Sequence, residues 1–276
     1  MKNEKILISA ILYNNEAELM SFVQHVFSVA KEFIVDICVT VNSSSLHGEE
    51  YASYKEKLIL TGATILEPGS NLGYFGAMNY AYKKKFTEGI HRYFIVSNTD
   101  LSFDADFFKI LNDYKLLDAC IVAPRIISSL SCNDQNPMYV ERPSRVKFYI
   151  LSKIFSSLIL TIMQRVFNLV IRKLRGGKKA SGVAVSAREI YAAHGALIII
   201  SGNFFSEGGN LNYPMFLFCE EIFLAEEVRS LKGKIVYEPS LISYHEEHKT
   251  TGFIPSKKMR QFLSESHLFC YENMLK

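Results

Sequence analysis

Between residues 6 and 123 the chain alternates short apolar runs with amphipathic stretches, and this alternation is what most limits how it can fold. The runs span residues 6–12, 33–41, 63–66, 92–97 and 119–123. Short, continuous apolar runs are the pattern of strands covered on both faces. The stretches between them, 16–31, 49–60, 71–86 and 105–117, read as helices. In the first, Leu19, Phe22, Val23, Val26 and Phe27 fall on one helical face. Strand and helix repeated four times imply an α/β fold with a doubly wound, mostly parallel sheet. No short internal period appears, which argues against a solenoid.

The strand ends carry the chemistry. Three of the runs lead into small polar residues: Asn14-Asn15, Asn42-Ser43 and Asn98-Thr99-Asp100. In open α/β sheets ligands bind just beyond the carboxyl ends of the strands. Asn98 and Asp100 are two residues apart, so in extended chain both lean to one side. They offer hard oxygen ligands, suited to Mg2+ or Mn2+ beside a phosphate. The same residues are also ordinary turn formers. Gly73 and Gly76 open the third helix, where backbone can approach a ligand or simply pack on a strand. Their spacing is neither the dinucleotide fingerprint nor a phosphate-binding loop of the Gly-Lys-Ser type.

At 276 residues, 49% apolar and 21% charged, the chain can bury a sizeable core, and global disorder is excluded. Five cysteines without paired spacing argue against a disulfide framework or a zinc ribbon and fit a reducing compartment. Residues 1–13 lack a signal-peptide layout. The net charge of +3 is unevenly placed: residues 142–179 hold ten Lys or Arg and no acid, so the remainder is net acidic. A basic segment of this kind suggests an anionic surface as partner. Its basic residues are interleaved with aliphatics rather than stacking aromatics, which argues against nucleic acid.

That segment follows a polar loop at 128–143 and contains 24 residues, 148–171, rich in Ile, Leu and Phe. The length permits a membrane span. Lys153 and Arg165 inside it would cost a few kcal/mol each near a bilayer centre. A helix or helix pair lying in the membrane interface, its basic flank on anionic lipid, is the expectation, with packing on the core as the alternative.

The second half reads as a short strand at 183–185, His194-Gly195-Ala196, a strand at 197–200, and a Gly- and Asn-rich loop at 201–214. A helix is expected over 217–232. Leu217, Glu221, Leu224, Val228 and Leu231 share one stripe of it, which places a carboxylate on the buried face and Glu226 on the exposed one. A buried carboxylate has a raised pKa, as a general base needs. The alternative is an acid that stabilises the first turn of the helix. Gly233 ends the helix, and strands at 234–237 and 241–244 lead to His245, a candidate metal ligand. His248 reads as surface, and Thr250-Thr251-Gly252 as a loop able to close over a ligand. From Pro255 the tail reads as a helix with Met259, Phe262, Leu263 and Phe269 apolar.

Taken together, these residues resemble the family 2 inverting glycosyltransferases, in particular the rhamnosyltransferase-like branch that builds bacterial surface polysaccharides, over about residues 4–252. Asn71-Leu72-Gly73-Tyr74-Phe75-Gly76-Ala77-Met78-Asn79 resembles that family's Asn-x-Gly-x-x-Gly-Ala-x-Asn segment. Ser97-Asn98-Thr99-Asp100-Leu101 resembles its version of the metal-binding Asp-x-Asp motif. His194-Gly195-Ala196, residues 216–224 and Tyr244-His245 resemble its acceptor-side Gly-Ala, its Phe-x-x-x-Glu-Asp-x-Asp-Leu and its late histidine.

The resemblance implies a GT-A fold, a divalent cation as cofactor, and a UDP- or dTDP-linked hexose or deoxyhexose as donor. A saccharide or lipid-linked saccharide would be the acceptor, at the cytoplasmic face of the cell membrane. It assigns Asp100 and His245 to the metal, Asn14, Asn42, Asn71, Gly73, Asn98 and Asp100 to the donor, and His194 and Gly195 to the acceptor. Glu221 would be the base, with Glu220 the alternative. It divides the chain into a nucleotide-sugar half (1–124), a loop and basic apolar insertion (125–181), an acceptor and catalytic half (182–254) and a C-terminal helix (255–276). Three positions differ from the family: Val41 stands for an Asp, Glu220-Glu221 for Glu-Asp, and Phe223 for the second Asp. Two other readings compete. A sugar-nucleotidyltransferase would carry a Gly-rich, basic loop where this chain has Tyr13-Asn14-Asn15-Glu16. A non-catalytic nucleotide- or sugar-binding module would show no turnover.

Overall fold

The computed structural model describes residues 5–114, 119–174, 186–247 and 254–276. Strands β1 (Lys5–Tyr13), β2 (Val35–Ser43), β3 (Thr64–Leu66) and β4 (His91–Ser97) pair in parallel, in the order β3-β2-β1-β4. Helices α1 (Glu16–Val29), α2 (Gly48–Leu60) and α3 (Tyr74–Lys85) make the crossovers that parallel pairing requires.

The chain then adds β5 (Leu101–Phe103), α4 (Phe107–Asp113), β6 (Ala119–Ser128), α5 (Arg145–Ser156), α6 (Leu158–Leu174), β7 (Arg188–Ile190) and β8 (Leu197–Ser201). After these come α7 (Gly202–Ser206), α8 (Glu220–Ser230), β9 (Lys234–His245) and α9 (Lys257–Phe269), with a π-helical turn at Cys270–Met274. The sheet continues as β4-β8-β6-β9-β5, with β7 on β9. β8 is antiparallel to both β4 and β6, and β9 is parallel to β6. Strands β1, β2, β3, β4, β6 and β9 therefore run one way, and β5, β7 and β8 run against them.

Side-chain alternation divides the core into two layers, one on each side of the sheet. Phe94 and Val96 of β4 and Ile198 and Ile200 of β8 point to one layer. Tyr93, Ile95, Leu197 and Ile199 point to the other. The first layer holds Phe75, Met78 and Ala81 of α3, Phe204 and Phe205 of α7, and Ile222, Phe223, Leu224 and Val228 of α8. The second holds Leu19, Phe22, Val23 and Val26 of α1 with Phe107, Phe108 and Leu111 of α4. Burial on both faces is why these strands read as continuous apolar runs. Each fully buried aromatic or branched aliphatic side chain contributes roughly 1.5–3 kcal/mol.

The structure departs from the sequence reading in several places. Strands β5 and β7, three residues each, have too little pattern to be read. The two strands expected around Glu238-Pro239 are a single strand, β9, and β6 runs on to Ser128 beside it through a register shift at Pro124–Arg125. The loop expected at 201–214 contains α7, whose first turn is capped by Ser201 Oγ accepting from the Asn203 N–H. The helix expected from Leu217 starts at Glu220, because Phe218 and Cys219 are left-handed, with φ of 73° and 64°. The strand expected at 183–185, His248 and the Thr250-Thr251-Gly252 loop lie outside the described residues.

Glu226 is not on an exposed face. It is half-buried and accepts from Arg142 Nε at 2.8 Å, Arg142 Nη2 at 2.9 Å and the Tyr191 hydroxyl at 2.7 Å. Arg142 also donates to the carbonyls of Met274 and Lys276, so it ties α8 to the C-terminus. Burial alone would raise the Glu226 pKa, but the bonds from Arg142 and Tyr191 outweigh it and hold the carboxyl below its usual range. Arg142→Ala is expected to cost about 1–2 kcal/mol at neutral pH, because it leaves a half-buried carboxylate short of partners. A depressed folded-state pKa gives stability that is present above the ordinary carboxylate pKa and lost as pH falls through the folded value. Urea denaturation of parent and variant should therefore show a gap at pH 7 that closes in acid.

Candidate active site

The site is built where β4 ends. Asp100 lies three residues past the end of β4 and directly ahead of β5, which pairs antiparallel with the end of β9. That pairing sets Leu101 opposite His245, and the Glu246 N–H bonds to the Asp100 carbonyl at 2.9 Å. As a result Asp100 Oδ1 lies 3.1 Å from His245 Nε2, across 145 residues of sequence. His245 Nδ1 is 2.7 Å from Gln135 Oε1, and Gln135 Nε2 donates to Glu247 Oε1 at 2.8 Å. An amide oxygen only accepts, so Nδ1 carries the proton and Nε2 is the nitrogen that faces Asp100. A carboxylate oxygen and an imidazole nitrogen on one point form a donor set that suits Mn2+ or Mg2+, with diphosphate oxygens and water filling the remaining positions. Among the described residues no three His, Cys, Asp or Glu side chains close around one point.

Asp100 opens onto a cavity of about 430 Å³ at the carboxyl edge of β1, β2 and β4. Of the six candidate donor residues, Asn42, Asn71, Gly73, Asn98 and Asp100 line it. Asn14 does not: it is exposed, left-handed at φ 55°, and accepts from Ser43 Oγ at 2.9 Å, while Tyr13 and Asn15 on either side take the wall.

The 71–73 loop is fixed by its own amides. Asn42 Nδ2 donates to the Gly73 carbonyl at 2.8 Å, the Leu72 N–H donates to Asn42 Oδ1 at 3.1 Å, and the Gly73 N–H donates to Asn71 Oδ1 at 2.9 Å. Gly73 has φ 76°, and a Cβ there would sit 2.1 Å from the Phe216 carbonyl oxygen, so only glycine fits. Opposite, Asn15 Nδ2 donates to Thr99 Oγ1 at 2.7 Å and to Glu18 at 3.0 Å, and Thr99 in turn donates to Glu18.

The remaining wall was not visible in the sequence. Ser256, Lys258, Met259 and Phe262 from the start of α9 face the cavity, with Phe216 against Phe262 at 4.9 Å between rings. Met259 and Phe262 belong to a stripe that reads as core-facing. Only tertiary packing shows that they border the cavity.

On the other side of Tyr74 lies a pair of carboxylates. The left-handed residues Phe218 and Cys219 cost of order 1 kcal/mol or more each. They are held by the Phe218 N–H donating to Glu220 Oε1 at 2.9 Å and the Tyr213 hydroxyl donating to the Phe218 carbonyl at 2.6 Å. The turn delivers Glu220, 6% exposed, and half-buried Glu221 at the first turn of α8. Glu221 accepts a bond from the Gly195 N–H, and a Cβ on Gly195 would come 2.5 Å from its Oε1. The Tyr74 hydroxyl donates to the Gly195 carbonyl at 2.9 Å, so Tyr74 forms cavity wall on one side and carboxylate support on the other.

Burial, then the charge of Glu221, pushes the Glu220 pKa up to about 8, and burial raises Glu221 as well. His194 stands 6.2 Å from His245, ring to ring, and burial followed by the His245 charge lowers its pKa to about 4, so it is neutral at pH 7. Phe223, at the position of an acid in the resembled family, is 6% exposed and packs edge-on against Phe75.

No protein-family model and no curated protein matches the chain. Solved structures do match in fold. GalNAc-T7, solved with UDP, GalNAc and Mn2+, aligns with a TM-score of 0.56 at 13% identity, over 89% of this chain and 44% of that one. S. aureus TarS 1-349 aligns with a TM-score of 0.51 at 11% identity, over 88% and 60%. The mannosyltransferase PcManGT from Pyrobaculum calidifontis, solved with GDP-Man and Mn2+, aligns with a TM-score of 0.51 at 11% identity, over 95% and 69%. The chain thus spans about half the length of the first two. At these identities the likeness is one of fold, and the fold is of the GT-A glycosyltransferase type.

The raised Glu220 pKa has a consequence for stability. A folded-state pKa above the unfolded one gives stability that is full below the unfolded value and lost as pH rises through the folded value, here near 8. Glu220→Gln removes that loss. It is expected to be more stable than the parent by several kcal/mol at pH 9 and to show little difference near pH 4. Denaturant titrations at both pH values measure this directly.

Proposed function

We propose that this chain is a metal-dependent glycosyltransferase that moves a sugar from a nucleotide-diphosphate donor to a saccharide hydroxyl with inversion. The observation that carries the reading is the Asp100–His245 pair at the mouth of the β4 cavity, on the carboxyl edge of the parallel strands. The Mn2+ with UDP and GalNAc in the structure of GalNAc-T7, and with GDP-Man in that of PcManGT, supports the same ligand chemistry here. A family 2 assignment in the rhamnosyltransferase-like branch, with a lipid-linked acceptor of surface polysaccharide synthesis, rests on the motif resemblance.

Each residue has a task on this reading. Asn42, Asn71, Gly73 and Asn98 shape the nucleotide pocket, and Asp100 and His245 present the metal ligands. A divalent cation held there neutralises charge on the departing diphosphate. Glu221 takes the proton of the acceptor hydroxyl. As it does so the new C–O bond forms at the anomeric carbon, and the bond to the diphosphate oxygen breaks with its electron pair leaving on the diphosphate. Glu221 is favoured over Glu220 because Glu220 is turned back onto the Phe218 N–H and buried, whereas Glu221 reaches the Gly195 edge beside His194. A pKa raised toward neutrality suits a base. With Glu220 held by the Phe218 N–H, Glu221 is the one carboxylate presented at the Gly195 edge, and a single base fits displacement in one inverting step, where a retaining enzyme would use a second carboxylate as nucleophile.

A binding module without turnover is the second reading, favoured by Phe223, whose apolar packing replaces an acid. Assay of nucleotide release with a panel of sugar nucleotides and acceptors separates the two. Glu221→Gln is expected to lose turnover by about 10²–10⁴-fold while nucleotide affinity stays within a few-fold. Gly195→Ala, which crowds the same carboxylate, should fall in kcat in the same direction. Full turnover in Glu221→Gln, or a product of retained configuration, would sink the assignment.

A further inference from the structure

The basic apolar segment is made of two helices with different environments. Helix α5 turns Phe148 and Phe155 inward, where they pack on His267 of α9 with ring separations of 5.3 and 5.2 Å. Helix α6 bends away from it by 116°, at a break pinned by Thr161 Oγ1 donating to the Ile154 and Ser157 carbonyls at 3.0 and 2.8 Å. Along α6, Ile159, Met163, Val166, Phe167 and Val170 follow spacings of 4, 3, 1 and 3, which puts them on one face. All five are exposed, Ile159 by 70%, Met163 by 61% and Phe167 by 62%. The opposite face carries buried Thr161, together with Gln164 and Arg165. A helix on a soluble domain turns its apolar face inward, and α6 turns it outward.

We propose that α6 lies flat on an anionic lipid bilayer with this face in the acyl boundary. Three observations select a bilayer over another occupant. Residues 142–179 hold ten basic residues and no acid, a complement to anionic headgroups that an apolar protein groove does not require. Arg142 is consumed by Glu226 and Arg145 lies on Tyr271, but Lys153 at the end of α5 and Arg165 on the polar side of α6 add positive charge beside the apolar face, and by sequence Arg172 and Lys173 close the helix. Finally, 17 residues of helix reach only about 26 Å, and α5, the other half of the one bent pair whose length and composition would allow a broken span, is packed on α9, which favours α6 along the surface over a path through it. The contact is coupled to the cavity through α5 and α9, since α9 packs on α5 and lines the cavity with Met259 and Phe262.

The test is flotation of the full chain with vesicles, without nucleotide or acceptor, so that its result does not depend on the transferase reading. Vesicles with about 30% phosphatidylglycerol should carry the protein at about 0.05 M salt, and raising salt to about 0.5 M should weaken binding by 10-fold or more. Ile159→Glu/Met163→Glu/Phe167→Glu should remove binding, with an unchanged circular dichroism spectrum because the three side chains are exposed. If that variant does not fold, Arg165→Glu/Arg172→Glu/Lys173→Glu replaces it and should lose binding in the same way. Failure of the parent to float, or flotation of the variants equal to the parent, overturns the proposal. So does a parent dimer in light scattering that the apolar variant makes monomeric while neither binds vesicles, which would mean that a second copy covers the face.

Discussion

One antiparallel rung, Leu101 opposite His245, holds the candidate metal pair together. Asp100 sits just past the end of a central strand, and His245 at the end of the last strand of the chain. Each is placed by a different part of the fold, and neither alone makes a cation site. The short strand β5 is what joins them, because its backbone pairing fixes the distance between two side chains that the sequence separates by 145 positions. Gln135 then fixes the imidazole tautomer, so that Nε2 faces the carboxylate. The wall of Asn42, Asn71 and Gly73 depends on β2 and on a glycine that Phe216 makes obligatory.

The carboxylate pair is organised by a different constraint. Two left-handed residues ahead of α8 bring Glu220 and Glu221 out of solvent together, and burial raises both pKa values. Adjacent buried carboxylates resist ionising together, so the pair is disposed to hold one proton near neutrality. The two have different partners: Glu220 closes the turn that creates it, and Glu221 faces Gly195. Tyr74 touches both the carboxylate support and the cavity, which makes it the physical link between the two.

Much of the first half was legible in the sequence, for a physical reason. Strands covered on both faces are apolar throughout, and β1, β2 and β4 end in small polar residues, so the sequence shows where they lie and at which edge the cavity opens. Asp100 and the 71–73 loop were legible for the same reason. The second half hides more, because its short strands lack pattern and its contacts are long-range. Glu226 reads as a surface acid until Arg142, 84 residues earlier, is seen beside it. Tyr74, Lys258 and Phe262 read as ordinary helix residues until tertiary packing places them at the cavity. Helix α6 shows the converse: its apolar and basic composition was plain, but whether its apolar side chains turn inward or outward is a property of the fold.

The central claim is that Asp100 and His245 form a cation-dependent nucleotide site. Calorimetric titration of UDP, and separately dTDP, into the full chain with and without Mn2+ tests it most directly. The account expects one of the nucleotides to bind only with Mn2+, and that affinity to fall by about 10–100-fold in Asp100→Ala and in His245→Ala. Equal binding without the cation, or undiminished binding in both variants, would contradict it.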